Sequence, residues 1–78
     1  MYLNELSKNE CAKIIAIKCT DKLKARLSSF GITRGSDVFI IEHTLSKNTI
    51  EIKINNTKIA LRKSEAKLIE VEKSLCKN

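Results

Sequence analysis

A chain of 78 residues with 42% apolar residues can build one small hydrophobic core and is too short for a second domain. Its formal net charge of +6 favours an acidic protein, a nucleic acid or an anionic lipid as partner, yet no run of about five basic residues marks a nucleic-acid or membrane tail. The longest apolar runs, residues 14–17 and 38–41, are far shorter than the roughly 20 residues of a membrane-spanning helix, so membrane insertion is not expected.

The N-terminus and the cysteines predict a cytoplasmic protein. The first ten residues contain no apolar stretch behind a basic start, so no export signal is predicted. Cys11, Cys19 and Cys76 are an odd number and have no redox or zinc spacing, so we expect reduced thiols and no disulfide framework. One domain is predicted over residues 1–72, followed by a polar tail at residues 73–78.

The first predicted elements are a short helical turn near Leu3, a strand and one helix. The strand, residues 11–19, is rich in Ile and Ala and is interpreted as buried or bulged. Thr20 or Asp21 can cap the helix that follows.

The helix is predicted to bury one apolar face and to end at a glycine. Leu23, Leu27 and Phe30 recur at helical spacing, and we expect all three in the core. Gly31 ends the helix, because glycine takes the left-handed conformation at low cost, and Ile32 can fold back onto the last turn.

After Gly35, which predicts a tight turn, the pattern changes to strands. Residues 50–55 alternate isoleucine with polar residues, the period of a strand with one buried face. Asn55 and Asn56 fit a two-residue hairpin turn. The later strands are predicted at residues 38–42, 50–54, 57–61 and 68–72, with a short capped turn at 64–67.

Five short strands with one helix between the first and second predict an all-β fold. Closing such strands into a small barrel removes most of the exposed edges of an open sheet. The sequence therefore predicts an SH3-like barrel of about five strands.

The order and spacing of several short motifs resemble a known family. The chain resembles the ferrous iron transport protein A (FeoA) family over most of its length, although Asn9 stands where that family often has glycine. The matching residues are Arg26-Leu27, Phe30-Gly31-Ile32, Gly35, Lys58-Ile59-Ala60-Leu61-Arg62, Ala66, Ile69 and Val71.

The resemblance implies a cytoplasmic accessory or regulatory protein of ferrous iron uptake. Its expected partner is the G-protein-like cytoplasmic region of a membrane ferrous iron transporter of the FeoB type. Four basic residues beside the helix and hairpin are candidates for steering that encounter: Arg26, Arg34, Arg62 and Lys63. Of these, only Arg26 and Arg62 match the family pattern. Gly31 and Gly35 have the structural roles of cap and turn. A related domain occurs at the end of iron-dependent repressors, so a repressor-associated module is the alternative.

Catalysis, a cofactor and a metal are not expected. The chain has one histidine, two aspartates and no phosphate-cradling glycine loop, so the sequence predicts no enzyme. His43 is interpreted as a solvated loop histidine. Together with the three cysteines it lacks the paired spacing of a zinc site.

Two other kinds of association stay open. Small basic β-barrels can bind single-stranded nucleic acid, but three aromatics, one of them assigned to the core, leave little for base stacking, so nucleic acid is the weaker hypothesis. The edge of the strand at residues 38–42 could pair with another copy, which would give a homo-oligomer.

Overall fold

One antiparallel sheet of five strands forms most of residues 1–76, the part of the chain that this computed structural model describes. The strand order is β4-β3-β2-β1-β5, and α1 lies between the first two strands along the chain, so the predicted fold class is confirmed. β2 lies inside the sheet, between β3 and β1, so the strand predicted at residues 38–42 is not the sheet edge that was expected to pair with another copy. The elements are a 3₁₀ turn Leu3–Glu5, β1 Cys11–Ile17, α1 Asp21–Ser29, β2 Asp37–Thr44, β3 Thr49–Ile54, β4 Thr57–Arg62, α2 Lys63–Ala66 and β5 Ile69–Ser74.

The core is aliphatic, because the buried faces of the strands carry mainly isoleucine, leucine and valine. Ile50, Ile52 and Ile54 are fully buried, as the alternation in β3 predicts. Phe30, in contrast, was expected in the core and is 40% exposed. It is the C-cap residue of α1, where the helix ends, and Ile32 is buried beneath the last turn instead.

β1 is bulged, as its sequence indicates. Its register with β5 pairs Ile14 with Val71 and then Ala16 with Glu70, so Ile15 is an extra residue on the β1 side. The strand ends at Ile17, two residues before the predicted end.

Both ends of α1 have the capping groups that the sequence predicts. Thr20 Oγ1 accepts a hydrogen bond from the Leu23 amide at 3.4 Å. At the other end the Gly31 amide donates to the Ser28 carbonyl and the Ile32 amide donates to the Leu27 carbonyl. These two bonds define a Schellman cap, and Gly31 has the positive φ of +88° that this cap requires.

Gly31→Val is expected to lower the free energy of unfolding by about 1–3 kcal/mol, because a β-branched residue is strained at this φ. A Cβ here would also lie 3.2 Å from the Asn55 side-chain nitrogen. Gly31→Asn is the control, because asparagine tolerates positive φ. Urea denaturation checks both, and a Gly31→Val midpoint equal to that of the parent would contradict the cap.

The turns take the conformations that their residues favour. Asn55 and Asn56 have φ values of 49° and 68°, which is the tight hairpin turn predicted between β3 and β4. Gly35 has a φ of +90°, as its predicted turn requires. Asn9 also has a positive φ, of 70°, a conformation that asparagine tolerates better than most residues.

Two cysteines form a disulfide, so the prediction of reduced thiols is wrong for them, and they no longer support a cytoplasmic location. β1 and β5 are antiparallel with Cys11 opposite Ser74, which brings Cys76 within reach of Cys11, with a Cα–Cα distance of 5.1 Å. A sequence separation of 65 residues gave no hint of this register. Cys19 is free and packs partly buried against the core. β5 continues to Ser74, past the predicted domain end at residue 72.

His43 belongs to β2 and not to a solvated loop. The strand extends to Thr44, two residues beyond its predicted end, and the His43 Nε2–H donates to the Leu6 carbonyl at 2.6 Å. The histidine therefore ties β2 to the segment that follows the 3₁₀ turn.

Within residues 1–76, no helix combines the length and the apolar character needed to cross a membrane.

Candidate functional site

Glu65 connects the two helices. Its Oε2 accepts a hydrogen bond at 3.0 Å from Nη1 of Arg26 on α1, and its Oε1 accepts one at 3.1 Å from the backbone amide of Arg62, the N-cap residue of α2. The Glu65 side chain is only 11% exposed, whereas that of Arg26 is 60% exposed. Glu65 therefore caps α2 and pairs with Arg26 at the same time.

Three of the four predicted basic residues lie around Glu65. Arg26 pairs with it, Arg62 immediately precedes α2, and Lys63 begins α2 with its amide donating to the Asn48 carbonyl. Within residues 1–76, neither Arg62 nor Lys63 takes part in an ion pair. We call Arg26, Arg62 and Lys63 the basic cluster.

The sequence did not identify Glu65 as a site residue, because a charged residue in a predicted turn is expected to be exposed to solvent. A glutamate at the third position of a short helix is a capping signal, and it could have identified the residue. The pairing with Arg26 has no sequence signal, since the two residues are 39 positions apart.

Other ion pairs neutralise basic residues at both ends of the β1–β5 pair. Lys18 bonds to the Tyr2 hydroxyl and to Glu70, each at 3.1 Å, and these contacts raise the pKa of Lys18. Glu10 pairs with Lys73 and accepts the Ser7 amide, which lowers the pKa of the Glu10 carboxyl. These contacts reinforce the sheet, and they take Lys18 and Lys73 out of the set of basic residues that could meet an acidic partner.

Arg34 lies apart from the basic cluster, at an open groove between α1 and β1. The groove has a volume of about 490 Å³. Residues 15–17 of β1 line one side, Ala25 and Ser28 of α1 line the other, and Ile32 is its buried floor. Lys24, Thr33 and Arg34 complete the lining. We call this space the α1–β1 groove.

A second cavity, of about 400 Å³, lies beside the disulfide. Val38 and Phe39 of β2 and the hairpin residues Asn55 and Asn56 form part of its wall, together with both disulfide cysteines. Across residues 1–76 there is no group of three histidine, cysteine, aspartate or glutamate side chains placed to hold a metal ion. Cys11 and Cys76 are bonded to each other, so neither offers a thiolate ligand.

Comparison with known proteins agrees with this fold. The family model for the FeoA domain matches residues 1–73. A protein of Helicobacter pylori that bears the name Fe(2+) transport protein A is 36% identical over 76 residues, which cover 96% of this chain and 100% of the relative.

Solved structures extend the comparison. A FeoA-like protein from Clostridium acetobutylicum superposes with a TM-score of 0.85 at 31% identity, covering 100% of this chain and 91% of the other. A manganese-dependent transcriptional repressor superposes at 0.87 with 17% identity, covering 95% of this chain and 36% of the repressor, which shows a shared fold alone. The family model and the H. pylori relative each span nearly the whole chain, and the chain therefore belongs to the FeoA family.

Proposed function

We propose that this chain is an accessory or regulatory protein of ferrous iron uptake. It works in the cytoplasm by binding the G-protein-like region of a membrane ferrous iron transporter of the FeoB type. Membership of the FeoA family, together with the name of the H. pylori relative, supports a role in iron(II) transport. The proposed role is binding and not catalysis.

The observation that carries the choice of surface is the basic cluster. It places Arg62 and Lys63, which have no ion-pair partner within residues 1–76, next to the Arg26–Glu65 pair on a chain of net charge +6. Exposed charges of one sign attract an oppositely charged partner over about a Debye length, roughly 8 Å at physiological ionic strength. The cluster therefore acts on the association rate more than on the dissociation rate.

Reversing the charge of the cluster is expected to slow association with the transporter's purified G-protein-like region. In Arg62→Glu with Lys63→Glu, two reversals of two units each lower the formal net charge from +6 to +2. We expect the association rate constant to fall about tenfold at low salt, with a smaller change in dissociation, and the difference to vanish at high salt. Arg26 is left unchanged, because a carboxylate there would face Glu65.

Lys8→Glu with Lys53→Glu is the matched control. It makes the same charge change at the disulfide end, where Lys53 lines the second cavity and Lys8 precedes Asn9, whose carbonyl faces the Cys76 sulfur. Rates are measured in every nucleotide state of the partner, after melting curves confirm folding. Absence of binding by the parent in all states would remove the proposed function. Equal rates for the two double variants would remove only the basic cluster as the surface.

A further inference from the structure

The sheet has an open edge inside the α1–β1 groove. β1 pairs with β2 only from Cys11 to Lys13, and the last contacts on that side are made by Ile14, whose amide donates to Ser36 and whose carbonyl accepts from Gly35. Beyond Ile14 the neighbouring chain turns away through Arg34 towards α1. Residues 15–17 are therefore bounded by β5 on one side and by the groove on the other.

The edge is short, because β1 ends at Ile17, and apolar side chains are half-exposed beside it. Ile15 is the extra residue of the bulge, and Ile15 and Ile17 are both half-buried at the groove. The opposite wall is helical, and a helix satisfies its own backbone groups, so α1 does not offer the hydrogen bonds of a neighbouring strand. An added strand would find about 10 Å of edge here at roughly 3.3 Å per residue.

The charged residues at the groove indicate which kind of added strand would bind there. Lys24 and Arg34 are exposed among the groove residues, and no acidic residue is among those that line it within the described part of the chain. The small side chains of Ala25 and Ser28 on α1 leave room between helix and strand. An extended segment with acidic and aliphatic residues is complementary to both features.

We infer that the α1–β1 groove binds an extended acidic segment of a partner protein, which adds as a strand beside residues 15–17. Backbone hydrogen bonds to the β1 edge supply affinity, aliphatic side chains of the segment pack on Ile15, Ile17 and Ile32, and its carboxylates meet Lys24 and Arg34. This surface is separate from the basic cluster, and the inference holds whether or not the partner is the transporter.

The test begins with a displayed library of random nine-residue peptides, selected against the intact, oxidised protein. We expect enrichment of peptides that alternate aliphatic residues with aspartate or glutamate. Titration of isotope-labelled protein with the enriched peptide, synthesised with blocked termini, is expected to move the NMR amide signals of residues 15–17 and 24–34. No enrichment, a basic consensus, or shifts confined to other residues would overturn the inference.

Backbone methylation tests strand addition without changing the protein. Alternate residues of a strand direct their amides to opposite sides, so we prepare one peptide methylated at odd positions and one at even positions. We expect only one of the two to lose affinity, by tenfold or more. Equal affinity of both methylated peptides and the parent peptide would overturn strand addition.

Charge reversal tests the acidic preference. Lys24→Glu with Arg34→Glu is expected to weaken binding of the enriched peptide at least tenfold, whereas Lys8→Glu with Lys53→Glu, the same change in net charge, is expected to alter it less than twofold. Equal weakening by both double variants would overturn the groove as the site. Mixed RNA or phosphatidylglycerol vesicles that move the groove signals when the peptide does not would also overturn it.

Discussion

Leu27→Ala is expected to lower the free energy of unfolding by about 2–5 kcal/mol, a large part of the stability of so small a domain. Leu27 is fully buried, and it is the only residue of α1 in that class. Its carbonyl also accepts the Ile32 amide of the Schellman cap. The truncation leaves a cavity where the fully buried side chain of α1 meets the core, and urea denaturation followed by circular dichroism measures the loss.

Leu45→Ala is the matched control. Leu45 lies between β2 and β3 and is 81% exposed, so the same truncation is expected to change stability by no more than about 0.5 kcal/mol. A Leu27→Ala variant that melts within about a degree or two of the parent would contradict the placement of α1 on the core.

Cys76→Ser is expected to destabilise the oxidised protein by about 2–4 kcal/mol. The disulfide joins residues that are 65 positions apart, and the chain-entropy model assigns about 4 kcal/mol to closing a loop of this length in the unfolded state. A reducing agent is expected to lower the melting temperature of the parent to that of the variant. Thermal melts with and without the reductant measure both effects.

Cys19→Ser is the control for the disulfide, because Cys19 is outside it. This variant is expected to keep the full response to the reducing agent. Titration of free thiols adds a direct count, with one thiol per native chain expected. Three free thiols in the unreduced native protein, or a melting temperature that ignores the reductant, would contradict the Cys11–Cys76 bond.

The fold was predictable where local chemistry decides structure. Ile50, Ile52 and Ile54 alternate with polar residues, and the buried face of β3 follows from that period. Gly31, Asn55 and Asn56 have positive φ. Glycine and asparagine tolerate this conformation better than other residues, so the turns could be predicted from these residue types. Phe30 has the helical spacing of a core residue, yet the helix ends there, and Ile32, two residues further on, is buried instead.

Features that depend on strand register could not be predicted from the sequence. Cys76 meets Cys11 only because β5 is antiparallel to β1 with Ser74 opposite Cys11. His43 reaches the Leu6 carbonyl only because β2 runs two residues beyond its predicted end at residue 42.

The candidate surface shows the same division. The basic residues were identifiable by type, but their neighbours were not. Arg26 and Arg62 come together through Glu65, which no spacing connects to α1. Arg34 was grouped with them, whereas the structure places it at the α1–β1 groove. That groove exists because β2 leaves β1 after Ile14, a property of the fold that residue types do not reveal.

The disulfide closes residues 11–76 into a covalent ring. Because its two cysteines are 65 positions apart, this ring contains most of the 78 residues. A single backbone cut inside a ring opens it without releasing a fragment. A protease that cleaves after the exposed Lys47, in the segment between β2 and β3, therefore leaves two pieces that are joined by the sulfur atoms and by the sheet. The two pieces stay covalently linked until a reductant breaks the disulfide, so a single cut becomes visible as a change of size only after reduction.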